Sequence, residues 1–71
     1  MANSTYKIVE IVATSKTSWE EAARAAVEST GESLVDLRIA EVVKMDMTIE
    51  KGKVALFRVR MNFSFKYHGE K

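Results

Sequence analysis

The run Leu34-Val35-Asp36-Leu37-Arg38-Ile39-Ala40-Glu41-Val42-Val43-Lys44-Met45-Asp46-Met47 is the strongest constraint on how this chain folds. It reads as one long strand in the middle of a small domain, and at its centre both alternating sets are apolar. Ile39 and Val43 fall on one side, Ala40 and Val42 on the other. A chain of 71 residues has one helix to cover one face of such a strand. Something else must cover the second face, and the expected cover is further copies of the same protein. Domains of this size are marginal alone and usually lean on disulfides, a metal or assembly. With no cysteine and one histidine, His68, disulfides, thiolate metal sites and a histidine-built zinc site within one chain are excluded.

Tyr6 to Thr14 is rich in β-branched residues and reads as the first strand. Val9, Ile11 and Ala13 share one face; Tyr6, Ile8, Glu10 and Val12 share the other. The segment Ser15-Lys16-Thr17-Ser18-Trp19-Glu20-Glu21 then carries helix start signals. Thr17 with Glu20, or Ser18 with Glu21, has the spacing at which a hydroxyl and a carboxylate satisfy free backbone amides reciprocally. Two acidic residues in the first turn suit the positive end of the helix dipole. Trp19, Ala22, Ala23, Ala26, Val27 and Thr30 form one helical stripe, opposite a solvated face of Glu21, Arg24, Glu28 and Glu32. Gly31 suits a left-handed C-terminal cap. Trp19 reads as core.

After the long second strand, Gly52 within Ile49-Glu50-Lys51-Gly52-Lys53 suits a hairpin turn. Val54 to Tyr67 alternates cleanly. Ala55, Phe57, Val59, Met61, Phe63, Phe65 and Tyr67 make an apolar face; Arg58, Arg60, Asn62, Ser64, Lys66 and His68 make a polar one. The order is β-α-β-β, an α+β fold with a three-stranded antiparallel sheet partly wrapped around one helix. Residues 1–71 form a single domain with an ordered core at roughly 5–68. Strands two and three form a hairpin, strand one joins at one edge, and one sheet face stays bare. Closed homo-oligomerisation would cover it. Glu41 shares its alternation set with Ile39 and Val43, so either a bulge intervenes or Glu41 pairs with a basic residue.

No catalytic signature is present: no glycine-rich phosphate loop, no histidine near a nucleophile, no acid–base pair. Helix capping accounts for Thr14, Ser15, Thr17 and Ser18. The chain therefore reads as non-enzymatic. Arg58, Arg60, Lys66 and His68 form a basic stripe, but no aromatic on that face stacks bases, and the net charge is +1. A polar face paired with acidic neighbours explains the stripe better than nucleic acid does. No segment is apolar enough to span a bilayer, and Met1-Ala2-Asn3-Ser4-Thr5 lacks the basic and apolar regions of a signal peptide. A cytoplasmic protein is expected. Asp36, Glu41, Asp46 and Glu50 recur along strand two and its turn. One subunit cannot gather the oxygens that calcium prefers, whereas a symmetry axis can bring one carboxylate from several chains together. Met45, Met47 and Met61 read as adaptable filling at buried contacts.

The ordered series Thr5-Tyr6-Lys7-Ile8-Val9-Glu10-Ile11-Val12-Ala13-Thr14-Ser15, Ser18-Trp19-Glu20-Glu21-Ala22, Ala40-Glu41-Val42 and Phe63-Ser64-Phe65 resembles the dodecin family over nearly the whole chain. The resemblance implies the β-α-β-β plan and a hollow homododecamer of cubic symmetry. Twelve chains of 8.0 kDa would total about 96 kDa. It also implies a ligand. Typical dodecins store flavins, riboflavin or its mononucleotide (FMN), between symmetry-related subunits. A tryptophan just before the Ala/Phe-Glu-Val segment stacks on the ring, and a glutamine on the last strand bonds its polar edge. Ile39 and Arg58 stand at those positions here. Ile39 packs against a flat ring without π-stacking, and Arg58 keeps donors, loses the acceptor half of an amide and adds a charge. The chain is more similar to the calcium dodecins, which also lack the stacking tryptophan. The resemblance thus implies a small-ligand or ion-binding homododecamer, with calcium or another cation ahead of flavin. The alternatives are a flavin-storage dodecin with an atypical pocket and a structural oligomer with no ligand.

Overall fold

The computed structural model describes residues 3–30 and 36–67. Its elements are β1 (Thr5–Ser15), α1 (Trp19–Ser29), β2 (Leu37–Glu50) and β3 (Lys53–Tyr67). All pairing is antiparallel, in the order β1-β3-β2. The expected β-α-β-β fold is thus observed. The central strand, however, is β3, and the long second strand lies at an edge. The reason is topological: β2 and β3 are joined by a two-residue turn, and β1 pairs with the free side of β3. Leu34, Val35, Gly31, Glu32 and His68 lie outside the described residues.

β3 keeps strict alternation where the core forms. Val59, Met61 and Phe63 are nearly inaccessible to solvent and meet Ala22 and Ala26 of α1. The alanines let the helix backbone sit close to the sheet. Burying each of the three larger side chains stabilises the fold by roughly 1.5–3 kcal/mol. Ile11, Ala13, Val27, Leu37 and Phe65 pack around this centre.

α1 starts as its sequence requires. Of the two capping alternatives the structure uses Ser18, whose Oγ accepts the Glu21 N–H at 3.0 Å. The Glu21 carboxylate accepts from Arg24 at 3.3 Å. Thr30 ends the helix, its N–H bonding the Glu28 carbonyl and its hydroxyl donating to the Val27 carbonyl at 2.9 Å. Trp19 is half-buried at the helix start. Its indole N–H donates to the Asp46 carbonyl at 2.9 Å, and its ring meets Phe57 edge-on, with centroids 5.0 Å apart. This side chain ties α1 to both strands of the hairpin.

β2 departs from simple alternation. Two residues of β2 advance against one of β3 at Leu37/Ile39 and again at Val42/Lys44. Arg38 and Val43 are therefore bulge residues, which bend and twist a strand at a sheet edge. Between the bulges Ala40 and Val42 lie on the helix side, opposite Phe63 and Met61. Beyond Val43, Met45 and Met47 take that side. Ile39, Glu41, Lys44, Asp46 and Thr48 fall on the face away from the helix. Glu41 still shares its face with Ile39, and the bulge removes only Val43 from that set; because the face is open, the Glu41 carboxylate is exposed and not buried. Met45 and Met47 are also exposed within one chain, at 56% and 43%, so the buried filling expected of them is not formed by this chain alone. Met61 is buried as expected.

The hairpin closes through Lys51 and Gly52, both with positive φ (52° and 76°), as a type I′ turn demands. A third irregularity, Thr48/Ile49, leaves Ala55 as the extra residue on β3. It places Ile49 and Val54 together on the helix side near the tip.

Candidate functional site

The open sheet face presents its side chains in rows set by strand register. The first row runs Thr14, Arg58, Asp46; the second Val12, Arg60, Lys44; the third Glu10, Asn62, Glu41. The fourth is Ile8, Ser64, Ile39, and Tyr6 stands beside Lys66 beyond it. One row is thus positive, the next negative and the next apolar.

Both residues expected at the ligand position lie on this face, but the structure does not bring them together. Ile39 is opposite Ser64, six residues along β3 from Arg58, a separation of about 20 Å. A single ligand touches both only if they come from different chains. Ile39 is 54% exposed. Arg58 is already engaged: Nε and Nη2 donate to the two carboxylate oxygens of Asp46 at 2.7 and 2.9 Å. This bidentate fork matches one edge of the planar guanidinium to the carboxylate and leaves the Nη1 edge open. Those hydrogen bonds hold the Asp46 carboxyl below its ordinary range, helped by the charges of Arg58, Arg60 and Lys44, and they raise Arg58.

The other described residues of the basic stripe are also partnered. Arg60 lies 3.9 Å from the Glu10 carboxylate, and the Lys66 ammonium donates to the Ser4 hydroxyl at 2.8 Å. The stripe is therefore largely a paired polar face. One expectation needs correcting, however. β1 carries Tyr6, 44% exposed, onto this same face beside Lys66, so the face does hold an aromatic. The signal was available in the alternation of β1, since Tyr6 shares the set of Ile8 and Val12. It became a neighbour of the basic stripe only through pairing of β1 with β3.

The four acidic positions of the second strand separate into two groups. Asp46 is held by Arg58, and Asp36 lies 3.8 Å from Arg38. Glu41 and Glu50 form no ion pair among the described residues. Glu41 faces Asn62 on the open face, and Glu50 pairs with Lys53 beside the turn. Among the described residues no three acidic, histidine or cysteine side chains converge. The described residues of one chain therefore do not by themselves gather a carboxylate set for a cation. For a flavin, this chain offers Ile39 without a π face and Arg58 with no acceptor and its fork held by Asp46, which does not reproduce a stacking ring and a free amide.

Two grooves flank α1 on the other side of the sheet. One of about 400 Å³ lies between α1 and β2, over Ala23, Val27, Ala40, Val42 and Met61. One of about 300 Å³ lies between α1 and β1, over Ile11, Ala13, Ala22 and Ala26. The first is rimmed by Glu20, Arg24 and Glu28, the second by Thr14, Ser29 and Thr30. No helix among the described residues is long and apolar enough to cross a membrane.

Residues 5–68 match the sequence profile of the Dodecin family. A calcium dodecin of Mycobacterium tuberculosis is 40% identical over 63 residues, 89% of each chain. The crystal structure of a calcium-chelating calcium dodecin of that organism, with a novel calcium-binding site, superimposes with a TM-score of 0.77 at 38% identity, over 94% of this chain and 96% of that one. The dodecin of Streptomyces coelicolor is similar with a TM-score of 0.86 at 33% identity, over 99% and 100% of the two chains. Profile, sequence relatives and fold agree over nearly the full length: the chain belongs to the dodecin family.

Proposed function

We propose that the protein is a non-enzymatic, cytoplasmic homododecamer that binds and buffers a small ligand or ion, with calcium or another cation favoured over flavin. The observation that carries this reading is the closed Arg58–Asp46 fork. At the position where the family resemblance expects a neutral amide stands a guanidinium locked to a carboxylate, which keeps three N–H donors but has no acceptor and carries a charge. Ile39, the other position, supplies no ring to stack on. Similarity to a calcium dodecin supports the cation, and Glu41 and Glu50 form no ion pair among the described residues, which suits an inter-subunit site.

A flavin-storing dodecin with an atypical pocket is the second reading, and Tyr6 is the observation in its favour. Its ring stands next to the Ile8–Ser64–Ile39 row and offers the π surface that Ile39 lacks. A structural oligomer without ligand is the reading left if both fail.

The test uses chelator-treated protein. Calorimetric titration with calcium should give saturable heat, and riboflavin fluorescence should stay unquenched on mixing. Quenching without calcium heat would transfer the assignment to flavin; neither response would leave the structural oligomer. Solution mass tests assembly separately. The expected value is about 96 kDa from 8.0 kDa chains, and a stable monomer would refute assembly.

A further inference from the structure

We propose that Asp46 is a specificity-determining residue of the open face: its carboxylate fills, from within the chain, the anion position that Arg58, Arg60 and Lys44 create, and so keeps phosphate-bearing ligands off this part of the face. The proposal rests on the reading above in taking the open face as the ligand surface, and it names a ligand class which that surface refuses.

Cations crowd this part of the sheet in a way that strand pairing alone disfavours. Lys44 lies directly opposite Arg60, and like charges at directly opposed positions destabilise an antiparallel pair. Arg58 stands two residues along β3 on the same face, about 7 Å away. Lys44 forms no ion pair among the described residues, and Arg60 has only the Glu10 carboxylate at 3.9 Å. Such a group of basic side chains, with an arginine among them, is the usual means of holding a phosphate.

Asp46 sits inside that group. It is opposite Arg58 and two residues along β2 from Lys44. Its two oxygens accept from Nε and Nη2 of Arg58 at 2.7 and 2.9 Å, the bidentate arrangement that an external carboxylate or phosphate takes on a guanidinium. The Arg58 hydrogen bonds, together with the charges of Arg58, Arg60 and Lys44, hold the Asp46 carboxyl below its ordinary range, so one carboxylate answers all of these cations. The two side chains of the fork are 45% and 38% exposed, and an ion pair so open to water adds little to stability. Its larger consequence is for binding. An approaching phosphate finds the Nε edge of Arg58 taken, and repulsion from Asp46 offsets the attraction of Arg60 and Lys44.

Calorimetric titration of the full chain with inorganic pyrophosphate at low ionic strength tests this assignment. Asp46→Asn keeps the size of the side chain and removes its charge, and should bind pyrophosphate about tenfold or more tightly than the wild type. Asp46→Ala should show the same gain. Asp46→Glu restores a carboxylate and should bind as weakly as the wild type. Adding Lys44→Gln and Arg60→Gln to Asp46→Asn should abolish the gain, which a merely structural counter-charge would not produce at all. Wild-type protein that binds pyrophosphate as tightly as Asp46→Asn, or an Asp46→Glu variant that gains as much, overturns the proposal. Calcium heat in the wild type with no pyrophosphate gain in either neutral variant overturns the role of Asp46 alone. A gain in the neutral variants without calcium heat in the wild type upholds that role and overturns only the cation reading.

Discussion

Trp19→Phe isolates one polar contact at the junction of helix, edge strand and central strand. The substitution keeps an aromatic ring against Phe57 but removes the indole N–H that reaches the Asp46 carbonyl at 2.9 Å. A hydrogen bond of this kind contributes about 0.5–1.5 kcal/mol net. The smaller ring also loses part of its edge contact with Phe57, where centroids lie 5.0 Å apart, at about 0.5 kcal/mol. The sum is about 1–2 kcal/mol. For a domain of this size each kcal/mol shifts the melting midpoint by about 4–8 °C, so the variant should melt about 4–16 °C lower. Trp19 is the single tryptophan, so the comparison uses far-ultraviolet circular dichroism at matched chain concentration. If Trp19→Phe melts within about 2 °C of the wild type, the indole does not tie α1 to β2.

Ser18→Ala should cost about 1 kcal/mol, read by denaturant unfolding, because the Glu21 N–H loses its side-chain acceptor at the start of α1. Gly52→Ala should cost about 1 kcal/mol in the same assay; a Cβ there meets nothing within 4 Å, so the penalty comes from the positive φ of 76° alone. Asp46 has a folded-state pKa depressed below its ordinary value of 3.8. Its contribution is therefore present above the unfolded value and lost as pH falls through the lower folded value. Asp46→Asn should remove this part of the acid-side slope below about pH 4, and an unchanged slope in acid titrations of stability would contradict it.

Much of the fold was legible because the signals were local. The alternation of Phe57 to Tyr67, the Ser18 cap and the positive φ at Gly52 each depend on a few neighbouring residues. The position of β2 was not legible for a physical reason. Strict period two treats Ile39, Glu41 and Val43 as one face, whereas bulges at Arg38 and Val43 insert extra residues that no sequence period reveals. Strand order was likewise hidden, since the pairing of β1 with β3 joins residues far apart in sequence. The candidate site suffered most from this. Ile39 and Arg58 were identified by resemblance, but their separation within a chain, the capture of Arg58 by Asp46 and the arrival of Tyr6 beside Lys66 all follow from register.

The dimensions of the chain explain why its two uncovered surfaces have different chemistry. The molecule measures 55 × 20 × 16 Å, with a radius of gyration of 14.9 Å, where a compact chain of this length would have about 11 Å. The 11 residues of α1 span only about 16 Å, so among the described residues no helix covers the hairpin side near its tip. That surface presents Met45, Met47, Ile49 and Val54, an apolar run that suits burial against another copy. The open face instead presents ion-paired rows around Arg58, Arg60 and Asp46, with isolated apolar residues at Ile8, Val12 and Ile39. Removing so many charges from water would be costly unless each found a partner, so this face suits polar contacts and ions. The assignment of assembly to one surface and ligand to the other makes the two roles separable by mutation. A charge placed at Ile49 should lower the solution mass, while Asp46→Asn, on the open face, should leave the mass intact at neutral pH.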